Sequence, residues 1–244
     1  MTEGADVRIH PTRTDAASHV GDDVVTLLAA LLEAGQEPRI VLTGGSIARE
    51  VHRELAARSQ GLDWAHVTVL WGDERFVPAG DDERNDAQAD EDLLSYVPVN
   101  PARVLRAPST DDASDVEAAA ATYAAAISQV LSHDDAATPA FDLLMLGIGP
   151  DGHVASLFPD RRHSTETVVA VRDSPKPPPE RVSMGYDLLA RARRVWFVAA
   201  GDDKADAVTA SVRQDPRDLP AARVRGLEET RWYLDAAAAA GLDP

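Results

Sequence analysis

The sequence predicts an α/β fold: a mainly parallel open sheet, Rossmann-like, with helices on both faces. Two observations carry this. Short runs rich in β-branched residues alternate with stretches of helical hydrophobic spacing, the order that builds β-α-β units. One run, FDLLMLGIG at 141–149, is almost unbroken apolar and ends in glycines. Strands buried on both faces of a parallel sheet look like this. A chain of 244 residues that is 44% hydrophobic suffices for one α/β domain over 1–244.

VRIH (7–10) reads as the first strand. Residues 15–34 read as a helix, with Val20, Val24, Leu27, Leu28, Leu31 and Leu32 at helical spacing and Gly35 as its stop. RIVLT (39–43) is the second strand, and after Gly44 and Gly45, Ser46 is expected to N-cap a helix through about Arg58. HVTVLW (66–71) is the third strand. A charged loop, GDERFVPAGDDERNDAQ, follows it, with a helix expected from Asn85 to about Leu94. Residues 115–131 read as a helix packed through Val116, Tyr123, Ile127, Val130 and Leu131. Its alanine run needs no special role, because Ala is the best helix former. After the buried strand at 141–149 come strands at 167–171, 181–186 and 194–201, a short helix at 203–212, a last strand at 230–235 and a last helix at Ala236–Ala240. SPKPPPE (174–180) reads as a rigid loop rather than a domain boundary.

Net charge is −17. Nucleic-acid binding needs a basic face, and this field opposes it. An anionic small molecule then needs a local cluster of cations and backbone N–H groups. There is no cysteine, so no disulfide and no thiolate metal site can contribute. The polar, acidic start lacks the features of a signal peptide, and no apolar stretch approaches the roughly 20 residues of a membrane helix. The expectation is a soluble cytoplasmic protein, with no membrane partner.

Gly147-Ile148-Gly149-Pro150-Asp151-Gly152 spells G-x-G-x-x-G after a strand. A dinucleotide site needs a helix opening at those glycines. Only 14 residues separate Gly152 from Thr167, and Pro159 interrupts them. Asp151 would also oppose a pyrophosphate. The glycines instead predict a sharp turn that holds His153 in a crevice at the carboxyl end of a central strand, where open α/β sheets bind ligands.

Thr43-Gly44-Gly45-Ser46 is strand, two glycines and a helix start. Backbone N–H groups and a helix N-terminus there suit a phosphate on Gly44, Gly45 and Ser46; an ordinary β-α turn has the same pattern. Asp73, Glu74 and Arg75 also fall where a strand ends. Lys176 and Arg181 flank the prolines, and Lys204 lies near the start of a helix, where a cation suits an anionic partner better than the helix dipole. Each of these taken alone is equally compatible with a solvated surface.

Together these stretches resemble the 6-phosphogluconolactonase family. The matching pieces are Thr43–Ser46, Asp73-Glu74-Arg75 with Asn85 downstream, GIGPDGHVASLFP (147–159), SPKPPPERVSM (174–184), and Gly201 with Lys204-Ala205. The family pattern often has Ser at Thr43 and Ser-Asn at Arg84-Asn85. The resemblance implies the fold of glucosamine-6-phosphate deaminases and ribose-5-phosphate isomerases. It implies hydrolysis of 6-phospho-D-glucono-1,5-lactone in the oxidative pentose phosphate pathway, with no cofactor and no metal. The chain would act as a monomer or small homo-oligomer. Lactone hydrolysis needs an activated water and a stabilised oxyanion. His153 is the candidate base, oriented by Asp151, and Arg75 the oxyanion candidate. Gly44, Gly45, Ser46, Asp73, Asn85, Lys176, Arg181 and Lys204 are the candidates for holding substrate, with the 6-phosphate on the glycine turn, Arg181 and Lys204. Two alternatives stand beside this. One is a sugar-phosphate deaminase or isomerase, although such deaminases carry Asn-Glu-Pro where this chain has Leu157-Phe158-Pro159. The other is a sugar-phosphate-sensing regulatory domain, for which no DNA-binding module is visible.

Overall fold

The computed structural model describes residues 6–132, 138–159, 161, 164–214 and 218–242. In chain order the elements are β1 (Asp6–His10), α1 (Arg13–Glu33), β2 (Arg39–Leu42), α2 (Ser46–Arg58), β3 (Thr68–Trp71), β4 (Asp73–Arg75), α3 (Asn85–Asp92), α4 (Val116–Val130) and β5 (Leu143–Leu146). They continue with β6 (Val168–Val171), β7 (Arg181–Met184), α5 (Tyr186–Leu189), β8 (Arg194–Ala199), α6 (Ala205–Val212), α7 (Pro220–Arg223) and β9 (Glu229–Asp235). Among the described residues, no helix is long and apolar enough to cross a membrane.

Six strands form a wholly parallel sheet in the order β1-β9-β8-β5-β2-β3. Side chains alternate across a strand, so each strand feeds two cores. Ile40, Leu42, Leu143, Met145, Trp196 and Val198 face one core with α1, α2 and α3. Val41, Leu144, Leu146, Val195 and Phe197 face the other with α4, α6 and the second sheet. That double burial is why β5 is apolar at every position, and it gives the expected α/β architecture. Parallel strands all end at one edge, so the loops after β2, β3, β5 and β8 gather there.

The second sheet, β4-β7-β6, is antiparallel and corrects the reading of Asp73-Glu74-Arg75 as loop. These charged residues sit in a strand because their side chains find hydrogen-bond partners within the protein. Glu74, buried, accepts from the backbone N–H groups of Arg75 (2.7 Å), Asn85 (2.8 Å) and Asp86 (2.9 Å). Its carboxylate thereby satisfies the first N–H groups of α3, whose N-cap, Arg84, makes no side-chain cap.

Other boundaries differ for local reasons. Ser46 is the first helical residue of α2, not its cap. Gly45, at φ 98°, occupies the cap position and no side chain caps the helix. The expected helix at 203–212 begins as a 3-10 turn over Asp202–Lys204 before α6. Helix α3 stops at Asp92, because Leu93 leaves helical geometry at φ −140°. Ala236–Ala240 forms turns rather than a helix. The Ala238 N–H bonds to the Asp235 side chain at Oδ1, 2.7 Å away.

Candidate active site

A cavity of about 270 Å³ opens at the carboxyl edge of the parallel sheet. Its walls come from loops far apart in sequence: Thr43–Ile47 after β2, Asp73 and Arg75 on β4, Gly147–Gly149 and His153 after β5, Lys176 and Arg181, and Lys204 after β8. Every residue expected at the site lines it except Asp151, which reaches it through His153.

Helix α2 points its N-terminus at this cavity. Its first N–H groups lack intrahelical partners, and Gly45 at φ 98° reaches a conformation that other L-residues rarely adopt. Gly44 is glycine for a different reason. A Cβ there would lie 1.8 Å from Asn85 Oδ1. The Asn85 amide is held by its Nδ2 donating to the Asp73 carbonyl at 2.8 Å. Thr43 Oγ1 accepts from the Gly147 N–H at 3.2 Å, tying the glycine turn to the loop that carries the histidine.

That loop folds back tightly. The Gly149 N–H donates to the His153 carbonyl at 2.9 Å, and a Cβ on Gly149 would fall 2.0 Å from His153 Nδ1. His153 Nδ1 lies 2.5 Å from Asp151 Oδ1. Burial works to raise the Asp151 pKa, but the hydrogen bond and charge of His153 outweigh it and bring it to about 2. An ionised Asp151 accepts a hydrogen bond from Nδ1–H, so Nε2 is left as the basic nitrogen. Phe158 packs on the imidazole, with ring centroids 4.7 Å apart.

The cations divide by what already occupies them. Arg181 is buried and donates to the carbonyls of Lys176 (3.0 Å), Pro177 (3.0 Å) and Pro178 (3.2 Å). It shapes the proline-rich loop as well as lining the cavity. Arg75 Nη1 donates to the Glu83 carbonyl. Lys204 Nζ pairs with Asp203 at 2.8 Å. Lys176 makes no ion pair among the described residues, and burial and repulsion from Lys204 lower its pKa. Lys176, Lys204 and the N-terminus of α2 line one cavity, an arrangement with the charge to receive an anion.

No local pattern points to the residues that brace this arrangement. Arg84, buried at the far side of β4, pairs with Asp86 at 2.8 Å and lies 3.9 Å from Glu74. Burial and the Asp86 carboxylate raise the Glu74 pKa. Ser156 Oγ donates to Asp73 Oδ2 at 2.7 Å, so that Asp73 oxygen is engaged by the protein itself. The Ser156–Asp73 bond joins segments 83 residues apart, beyond any motif's reach.

Fold and cavity together define a Rossmann-like α/β protein with a small-molecule site at the carboxyl edge of its sheet. The family described as glucosamine-6-phosphate isomerases/6-phosphogluconolactonase matches residues 11–232, and the chain belongs to it. It is 41% identical to the 6-phosphogluconolactonase of Mycobacterium leprae (strain TN), over 97% of this chain and 98% of that one. Its identity to the Homo sapiens 6-phosphogluconolactonase is 38%, over 88% and 86% of the two chains. The crystal structure of the Thermotoga maritima 6-phosphogluconolactonase superposes with a TM-score of 0.81 at 28% identity, covering 95% of this chain and 99% of that one. A monomeric glucosamine-6-phosphate deaminase superposes with a TM-score of 0.79 at 19% identity, over 97% and 99% of the chains, a likeness of fold alone.

Proposed function

We propose that the chain hydrolyses 6-phospho-D-glucono-1,5-lactone to 6-phospho-D-gluconate, the activity named in its relatives, with His153 as general base. One observation carries the mechanism. The imidazole oriented by Asp151 shares a single cavity with the N-terminus of α2 and with Lys176 and Lys204. The cavity, about 270 Å³, has groups of opposite use for the two ends of one sugar phosphate.

The 6-phosphate sits on the N–H groups of Gly44, Gly45 and Ser46, with Lys204 and Lys176 beside it. Water attacks C1 and gives its proton to His153 Nε2, while Asp151 steadies the imidazolium. Arg75 faces the oxyanion that forms on the former carbonyl oxygen. Collapse of the tetrahedral intermediate breaks the bond from C1 to the ring oxygen, and Nε2–H protonates that oxygen as it leaves. Asn85 and Asp73 offer acceptors, which suit sugar hydroxyls rather than phosphate. No cofactor enters any step. On the same reading the chain works in the cytoplasm as one α/β domain, monomeric or as a small homo-oligomer.

Deaminases of this fold place a glutamate where this chain has Phe158. An apolar ring packed on the imidazole moves no protons, which favours lactone opening. The test is a coupled assay on freshly made 6-phosphogluconolactone with spontaneous opening subtracted, run beside ammonia release from glucosamine 6-phosphate. Acid release without ammonia is expected. Ammonia release, or no acceleration of lactone opening, would overturn the reading.

A further inference from the structure

We propose that Ser156 is a positioning residue that fixes His153 relative to Arg75 by locking a strained turn onto β4. The proposal rests on the lactonase reading for its kinetic consequence, but not for its geometry. Three observations converge on it. Ala155, two residues after His153 and lining the cavity, has φ +49°, a left-handed conformation that costs a non-glycine residue free energy. Ser156 beside it is buried and bonded through both side chain and backbone. Its Oγ donates to Asp73 Oδ2 at 2.7 Å, and its N–H donates to Ser183 Oγ at 3.2 Å.

The two acceptors form a single cross-strand pair. Asp73 on β4 stands opposite Ser183 on β7. Ser183 is fully buried, and its hydroxyl donates a hydrogen bond to the Met184 carbonyl at 3.1 Å. Ser156 therefore docks on one rung of the second sheet, and Arg75 lies two residues along the same strand. The turn is closed on its other side by the Leu157 N–H donating to the Val154 carbonyl at 2.9 Å. Strain at Ala155 pushes the turn to open, and the two bonds of Ser156 hold it shut. The loop bearing the base and the strand bearing the oxyanion cation thus share one fastening, apart from the phosphate grip.

The test compares wild type, Ser156→Ala and the double variant Ser156→Ala/Ala155→Gly. Thermal melts confirm that each is folded. Ser156→Ala is expected to lower kcat by about 10–100-fold, the penalty of a reacting group displaced by an ångström or less, with KM within about twofold. Glycine accepts a positive φ without strain, so the double variant should recover about fivefold in kcat over the single one. A merely structural loss would deepen when glycine further loosens the loop. The His153 imidazole resonances, assigned through their loss in His153→Gln, give a readout independent of turnover. They should shift and broaden in Ser156→Ala and return in the double variant. Wild-type-like kcat and resonances in Ser156→Ala, or a double variant no better than the single one, would overturn the proposal. A wild type that fails to open the lactone while the resonances behave as expected would refute the assigned reaction and leave the positioning role standing.

Discussion

At the scale of single residues, the proposed chemistry rests on His153, and its surroundings give it direction. The ionised Asp151 carboxylate holds Nδ1–H, so the base must act through Nε2. His153→Ala is expected to lower kcat by about 10²–10⁴-fold with little change in KM, measured by initial rates above the spontaneous background. Lys204→Ala should act oppositely, raising KM with a smaller effect on kcat. Unphosphorylated gluconolactone supplies the control, because the variant should lose its preference for the phosphorylated ester. Gly44→Ala should lose both terms, since the methyl would displace Asn85. That His153 and the glycine turn would meet at one edge of the sheet was legible in the sequence, because both directly follow strands of the expected parallel sheet. Asp73 was expected at the site from the family resemblance; its bond from Ser156 was not legible, because it spans an 83-residue separation that no spacing rule covers.

At the scale of elements, hydrophobic period decided what could be read. The strands of the parallel sheet, buried on both faces, appear as apolar runs, and the long helices show their packing stripes. Strand β4 was hidden because Asp-Glu-Arg has no apolar pattern, its stability coming from backbone donors that meet Glu74 across the fold. Helix caps carry a separate signal. Thr12 caps α1 by accepting from the Asp15 N–H at 3.1 Å, and its hydroxyl donates back to Asp15 Oδ2 at 2.6 Å, a variant of the capping box. Thr12→Ala should cost about 1 kcal/mol, seen as a lower urea midpoint with an unchanged slope. Turnover should be preserved, because α1 packs on the core beneath the sheet and does not line the cavity.

At the scale of the whole molecule, buried titratable groups set the response to pH. His52 on α2 is buried and neither ring nitrogen has a hydrogen-bond partner among the described residues; burial lowers its pKa to about 4. The unfolded chain binds a proton at this histidine below about pH 6.5, and the native state resists until about 4. Its contribution is therefore complete above pH 6.5 and is lost as pH falls toward 4. Glu74, with its pKa raised in the fold, acts in the opposite sense as pH rises from the carboxylate range, so the two partly cancel in a single pH curve. The comparison with His52→Leu isolates the histidine. Between pH 7.5 and 5, wild type should lose about 2 kcal/mol more unfolding free energy than the variant, measured by urea titration at both pH values. The mutual repulsion of Lys176 and Lys204 carries a practical consequence for bench work. Inorganic phosphate in a buffer would settle between the two ammonium groups, raise the melting temperature in proportion to the logarithm of its concentration, and compete with the sugar. Affinities measured in phosphate buffer would come out too weak, and exchange into a neutral zwitterionic buffer should restore them.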